Sequence, residues 1–109
     1  MNVREIRIGN WINNGSDDIR VSATTFNFNM EWYNPIPLTE EWLVKMGAVI
    51  IGSNESLEGY KIQELIIVVY KDCIRIDLGQ FEINVEHVHQ LQNIYFALTG
   101  EELTIKDHV

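Results

Sequence analysis

The stretch 61–85 constrains the fold of this chain most, because three segments with strand patterns follow one another there with only short turns between them. KIQELIIVVY is apolar enough for a central strand, whereas CIRIDL and FEINV alternate apolar and polar residues. The alternating apolar residues are Ile74, Ile76 and Leu78 in one segment and Phe81, Ile83 and Val85 in the next. Strands joined by turns as short as Gly79-Gln80 predict an antiparallel meander.

The N-terminal third predicts a β-hairpin. REIRIGNWI (Arg4–Ile12) alternates with a period of two, and Asn14-Gly15 accepts the positive φ angles that a tight turn needs. On the return strand the apolar residues change from odd to even positions after Ala23, and a β-bulge at residues 23–25 explains that change. A further short strand, AVIIG, follows in the middle of the chain.

Two amphipathic segments predict helices, a short one at about 39–46 and a longer one at about 85–99. Thr39 is the expected N-cap of the short helix, and Gly47 ends it. Asn84 is the expected cap of the longer helix, which Gly100 ends. We expect four residues of its apolar stripe to be buried against the meander residues Ile74, Ile76, Phe81 and Ile83. These four are Val88, Leu91, Tyr95 and Leu98.

These elements together predict an α+β fold. A mostly antiparallel, twisted sheet carries two helices, because each apolar face needs another element to cover it. With 109 residues the chain is long enough for one hydrophobic core, so we expect a single domain over residues 1–109.

The charge of the chain excludes some classes of partner. A net charge of −8, from 16 acidic and 8 basic side chains, argues against nucleic acid and against an anionic membrane surface. The longest apolar run, LIIVVY, is too short to cross a bilayer, and the charged N-terminal segment lacks the apolar core of a signal peptide. Cys73, the single cysteine, can form no internal disulfide. We therefore expect a cytoplasmic protein.

No residue pattern indicates catalysis, a metal or a cofactor. His87 and His89 are two positions apart, which on a helix separates their directions by about 200°, so they cannot share a metal ion. The glycines stand singly at turns and form no phosphate-binding loop. We predict that the chain is not an enzyme and holds no cofactor.

The polar head of the longer helix is the candidate site. The candidate interaction surface consists of Trp11, Trp32, His89, Gln90 and Asn93. Two alternatives remain open for the helix residues. Their side chains are simply solvated, or His89, Gln92 and Asn93 turn inward and hydrogen-bond the loops of the sheet, which would fix where the helix docks.

Three blocks of the sequence stand out, RIGNW, PIPLTEEWL and HQLQNIYFALTGEEL. They resemble a family of short, uncharacterised proteins encoded by phages, prophages and transferable elements of Bacteroidota. The resemblance implies a bacterial or mobile-element setting and transfers no catalytic residue. We expect a non-enzymatic accessory module that binds another protein, and leave a homo-oligomer open. The alternative is a small-ligand or nucleotide-binding protein that counters a host defence signal.

Overall fold

A computed structural model of the chain describes residues 6–22 and 34–103. The described strands are β1 (Trp11–Asn13), β2 (Asp18–Arg20), β3 (Asn34–Pro35), β4 (Val49–Ser53), β5 (Leu57–Ile62), β6 (Leu65–Tyr70), β7 (Ile74–Asp77) and β8 (Glu82–Asn84). The helices are α1 (Glu40–Lys45) and α2 (Val88–Thr99). The strands form two antiparallel sheets with the orders β2-β1-β3 and β4-β5-β6-β7-β8. The predicted α+β fold is confirmed.

The described residues divide into two compact units. The first unit combines residues 6–22, 34–37 and 87–102, and therefore holds the three-stranded sheet and α2. The second combines residues 38–86 with Leu103 and holds α1 and the five-stranded sheet. That the chain is a single domain over residues 1–109 stays a prediction.

The first strand begins later than its period-two pattern predicts. β1 starts at Trp11, because Gly9 adopts a φ of +101° and interrupts the extended backbone before it. Ile12 is fully buried, but Ile8 is 56 % exposed although it has the same parity. The prediction of one continuous strand over Arg4–Ile12 is therefore wrong.

The hairpin turn lies where the sequence predicts it. Gly15 has a φ of +100°, and the side-chain oxygen of Asn14 accepts hydrogen bonds from the backbone N–H groups of Ser16 (2.9 Å) and Asp17 (2.8 Å). β1 then pairs antiparallel with β2, with Ile12 opposite Ile19. The bulge predicted at residues 23–25 lies outside the described residues.

The five-stranded sheet is the predicted meander with one additional hairpin. KIQELIIVVY is divided between β5 and β6, because Gln63 adopts a φ of +54° and turns the chain. At the far end, Phe81 is 60 % exposed and precedes β8, so its predicted inward position is wrong. The core face of this sheet consists of the buried residues Tyr60, Ile62, Leu65, Ile67 and Ile76.

Helix α1 has the predicted caps. The Thr39 hydroxyl accepts a hydrogen bond from the backbone N–H of Trp42 at 3.3 Å, and Gly47 follows the helix with a φ of +90°. Trp42 and Leu43 are buried. The short amphipathic helix is confirmed.

Helix α2 begins at Val88, later than predicted, and its N-cap is His87 instead of Asn84. The side-chain oxygen of Gln90 accepts a hydrogen bond from the backbone N–H of His87 at 3.0 Å, as in a capping box. Gly100 ends the helix as predicted, with a φ of +77°.

The apolar stripe of α2 is buried only in part. Val88, Leu91 and Tyr95 are at most 2 % exposed, whereas Leu98 is 55 % exposed. The predicted burial of Leu98 is therefore wrong. The expectation that this stripe covers the meander stays a prediction.

Tyr60 lies on the core face with its hydroxyl among carboxylates. The hydroxyl donates to Glu58 Oε2 at 3.0 Å and is 3.4 Å from Glu40 Oε2. Burial, followed by the hydrogen bond to Glu58 and the charges of both carboxylates, raises the pKa of Tyr60 from 10.0 to about 12. Each of these causes disfavours the phenolate, so the folded protein holds this proton more tightly than the unfolded chain.

We expect the protein to lose stability as the pH rises from 10 to about 12. The stabilisation is complete below pH 10, because Tyr60 is protonated in both states, and it is lost as the pH passes the folded pKa. Tyr60→Phe should remove part of this dependence in urea melts. Tyr70, whose pKa is also raised, chiefly by its hydrogen bond to Glu82, supplies another part. An unchanged alkaline slope in the variant would contradict this assignment.

Candidate functional site

Gln92 is fully buried and joins α2 to the start of β1. Its side-chain oxygen accepts a hydrogen bond from the backbone N–H of Trp11 at 2.8 Å, and its side-chain nitrogen donates to the backbone oxygen of Gly9 at 3.0 Å. Buried backbone groups need partners, and an amide side chain offers a donor and an acceptor side by side. Gln92 thus provides hydrogen-bond partners for the backbone of Gly9 and Trp11, where the Gly9 turn interrupts the strand.

Arg7 makes a second link between the same turn and α2. Its Nη1 lies 2.7 Å from Glu102 Oε2 in an ion pair, and its Nε donates to Asn93 Oδ1 at 2.7 Å. Asn10 Nδ2 donates to the same Asn93 oxygen at 2.9 Å. The Arg7 guanidinium also lies 4.5 Å from the centre of the Phe96 ring, at cation–π distance. All these interactions lie within the first unit.

These contacts decide between the two alternatives for the head of the longer helix. Gln92 and Asn93 turn inward and hydrogen-bond the loop before β1, so the docking alternative is confirmed for both. His89 is only 1 % exposed, so its placement on an exposed surface is wrong. Gln90 caps its own helix.

The remaining candidate residues differ in their surroundings. Trp11 is half-buried at the start of β1, and Trp32 lies outside the described residues. Asn93 is half-buried, and its side-chain oxygen accepts hydrogen bonds from Arg7 and Asn10. A role for Trp11, Trp32, Gln90 or Asn93 in binding a partner stays a prediction.

A cleft of about 450 Å³ lies within the second unit, between the start of α1 and the turn from β6 to β7. Its charged lining residues are Glu40, Asp72 and Glu86 against Lys71. Cys73 also lines the cleft and carries a free, half-buried thiol. An excess of carboxylates repels phosphate groups, so this cleft does not favour a nucleotide.

Strand β4 forms an edge of the five-stranded sheet and is exposed along its whole length. Val49, Ile50 and Ile51 are 63 %, 51 % and 53 % exposed. Within the part of the chain that the structure describes, no strand pairs with the outer side of β4. An edge strand presents backbone N–H and C=O groups to which another extended chain can add.

A β-bulge shapes this edge. The pairing of β4 with β5 shifts between Ile50 and Gly52, so Ile51 is the additional residue on β4. Its side chain lies over Gly59, 3.4 Å from the position that a Cβ atom there would occupy. Natural edge strands often carry charged residues or a bulge that hinders association; VIIGS carries the bulge but no charge.

The face of the sheet opposite the core face carries further apolar residues behind β4, with the exposed Lys61 between Val49 and Ile66. Val49 lies opposite Lys61, which lies opposite Ile66, and Gly59 lies opposite Val68 in the neighbouring row. Ile66 and Val68 are half-buried. We call Val49 and Ile51, with Ile66 and Val68 on the same face and the exposed Ile50 on the other face of the same strand, the β4 surface. It is the candidate binding surface that the pattern of single residues did not reveal.

Comparison of the chain with protein-family models, curated proteins and solved structures finds no match. No helix within residues 6–22 and 34–103 is long and apolar enough to cross a membrane. The same residues contain no group of three or more histidine, cysteine, aspartate and glutamate side chains placed to hold a metal ion.

Proposed function

We propose that this chain is a non-enzymatic protein-binding module that takes up an extended segment of a polypeptide along β4. The observation that carries the proposal is the edge strand itself, which is apolar, uncharged and more than half exposed at three successive residues. Backbone hydrogen bonds along such an edge supply affinity, while alternate side chains of the bound segment select for sequence. The sequence blocks that resemble proteins of phages and mobile elements support an accessory role in that setting.

The chemistry of the edge supports a polypeptide as the ligand. The free backbone groups of an edge strand match those of another extended chain, whereas a small ligand would be held better in a concave pocket. Exposed Val49 and Ile51 gain about 25 cal/mol for each Å² of apolar surface that a bound segment removes from water. Backbone pairing and apolar burial therefore act together at the same strand.

The variant Ile51→Lys should abolish binding at this edge. A lysine there is compatible with an isolated edge strand but disfavours the addition of another strand and replaces apolar surface that the bound segment would cover. The matched control is Val44→Lys, since Val44 is 60 % exposed on α1 of the same unit and does not belong to the edge. The three proteins serve as baits with lysate of a Bacteroidota host, and cross-linking identifies the bound segment.

We expect the wild type and Val44→Lys to retain the same polypeptide, either a host protein or a second copy of the chain, with Ile51→Lys retaining less than about one tenth of it. Hydrogen exchange should show slower exchange of the β4 amides in the complex. If the bound polypeptide is retained equally by Ile51→Lys, or leaves the β4 amides unprotected, binding through β4 is excluded.

A further inference from the structure

We infer that the polypeptide at β4 is a second copy of this chain, paired β4 to β4 in antiparallel orientation about a two-fold axis. The inference rests on the proposed function, because it requires that β4 binds an extended segment. Two five-stranded sheets would then continue into one another across the axis. Such an interface is self-complementary, since each copy offers the same strand to the other.

The first argument is the absence of charge on β4. Each copy carries a net charge of −8, so two copies repel each other in the majority of relative orientations. VIIGS contributes no carboxylate, and an exposed apolar strand at the contact keeps this repulsion low where the copies approach most closely. A strand without charge is therefore suited to a partner that is itself acidic.

The second argument is the opposite charge of the two ends of the edge. Lys61 lies opposite Val49, at the beginning of β4, and its side chain is exposed. Glu55 is exposed in the turn that follows Ser53, at the end of β4. Antiparallel pairing brings the Val49 end of one copy beside the Ser53 end of the other.

This arrangement places each Lys61 on the side of Glu55 of the other copy, and symmetry produces the attraction twice. Parallel pairing would instead place lysine beside lysine and glutamate beside glutamate. The charges thus favour the antiparallel, two-fold arrangement over the parallel one. A basic peptide from another protein would be attracted by Glu55 at one end of the edge but repelled by Lys61 at the other, and a neutral peptide would be attracted by neither.

The size of the edge limits the strength of the dimer. Stable protein interfaces bury at least about 1,200 Å² in total, and a strand of five residues provides a short line of contact. We therefore expect a reversible dimer with a Kd of about 10–100 μM.

Sedimentation velocity of the full chain tests the inference over a range of about 1–500 μM, which spans that expected Kd. The mass should rise from 12.7 kDa towards twice that value as the concentration increases. Ile51→Lys should weaken dimerisation at least about 30-fold, because it places two like charges near the axis and adds a charge to the edge strand. Val44→Lys should dimerise like the wild type.

An exchange of charges tests the orientation. Lys61→Glu and Glu55→Lys should each weaken self-association about 5- to 20-fold, because each variant turns two attractions into two repulsions. An equimolar mixture of the two variants should recover the affinity of the wild type, since both pairs in the mixed dimer have opposite charges. Failure of the mixture to recover would exclude the antiparallel arrangement.

Two outcomes separate this inference from the proposed function. If the wild type stays monomeric throughout, while Ile51→Lys still abolishes capture of a different polypeptide, the inference is overturned and the proposed function holds. If the wild type dimerises but Ile51→Lys dimerises equally well, the interface lies elsewhere on the chain, and the inference is again overturned.

Discussion

Replacing Leu91 by alanine should lower the free energy of unfolding by about 2–5 kcal/mol, which is the usual cost of emptying a filled core position. Leu91 is fully buried in the first unit, so the surrounding atoms lose contacts that water cannot replace. The loss is a large part of the roughly 5–15 kcal/mol that stabilises a domain, and urea melts followed by circular dichroism should show it clearly.

Leu98 provides the matched control for this experiment. It is a leucine in the same helix and the same apolar stripe, but it is 55 % exposed. We expect Leu98→Ala to change the free energy of unfolding by less than about 1 kcal/mol. Equal losses for the two variants would mean that Leu98 is buried in solution.

Gln92→Ala should cost about 2–5 kcal/mol, although the residue removed is polar. The alanine variant removes the side-chain oxygen that accepts from the part-buried backbone N–H of Trp11, and it empties a fully buried site. The backbone oxygen of Gly9 keeps one hydrogen-bond donor in the variant, because Arg20 Nε also donates to it at 3.3 Å.

Gln80 is the control for the glutamine substitution, because it is exposed in the turn between β7 and β8. Gln80→Ala should change the stability by less than about 0.5 kcal/mol in the same urea melts. If Gln92→Ala were as harmless as Gln80→Ala, the hydrogen bonds between α2 and the Gly9 turn would contribute little to stability.

The ends of elements could be predicted from the sequence where they depend on local chemistry. Thr39, Gly47 and Gly100 cap helices as expected, and Gly15 makes the expected turn. Each acts on backbone groups only a few residues away, so a short window of sequence contains both partners.

The depth of burial along an element could not be predicted in the same way. Leu98 shares the periodicity of Leu91, and Phe81 shares the alternation of Ile83, yet Leu98 and Phe81 are exposed. Periodicity tells which side of a helix or strand is apolar. It does not tell how far along the element the rest of the protein extends.

The role of the polar residues on α2 depends on partners that are distant in sequence. Gln92 is hydrogen-bonded to Trp11, which is 81 residues away in the sequence, and Asn93 is hydrogen-bonded to Arg7, which is 86 residues away. A buried glutamine and a solvated one look alike in a sequence, because burial is decided by these remote contacts. Both alternatives were therefore open until the contacts were known.

The exposure of β4 has a similar origin. Val49, Ile50 and Ile51 are three successive apolar residues, a pattern typical of a strand that is covered on both faces. Which strand lies at the edge depends on the order of the whole sheet, which no short segment encodes. The binding surface proposed for this strand thus depends on the sheet order and on the exposure of its residues in the folded chain.

The division of the first unit between both parts of the chain has a consequence for biosynthesis. The five-stranded sheet is built from hairpins between neighbours, so it can form as soon as residues 38–86 have left the ribosome. The hairpin of β1 and β2 emerges earlier, but Gln92, Asn93 and Glu102, which hold its Gly9 turn, are synthesised last. The segment translated first therefore completes its fold after the segment that follows it, and a nascent chain arrested before residue 87 should carry a formed meander beside an unfinished N-terminal unit.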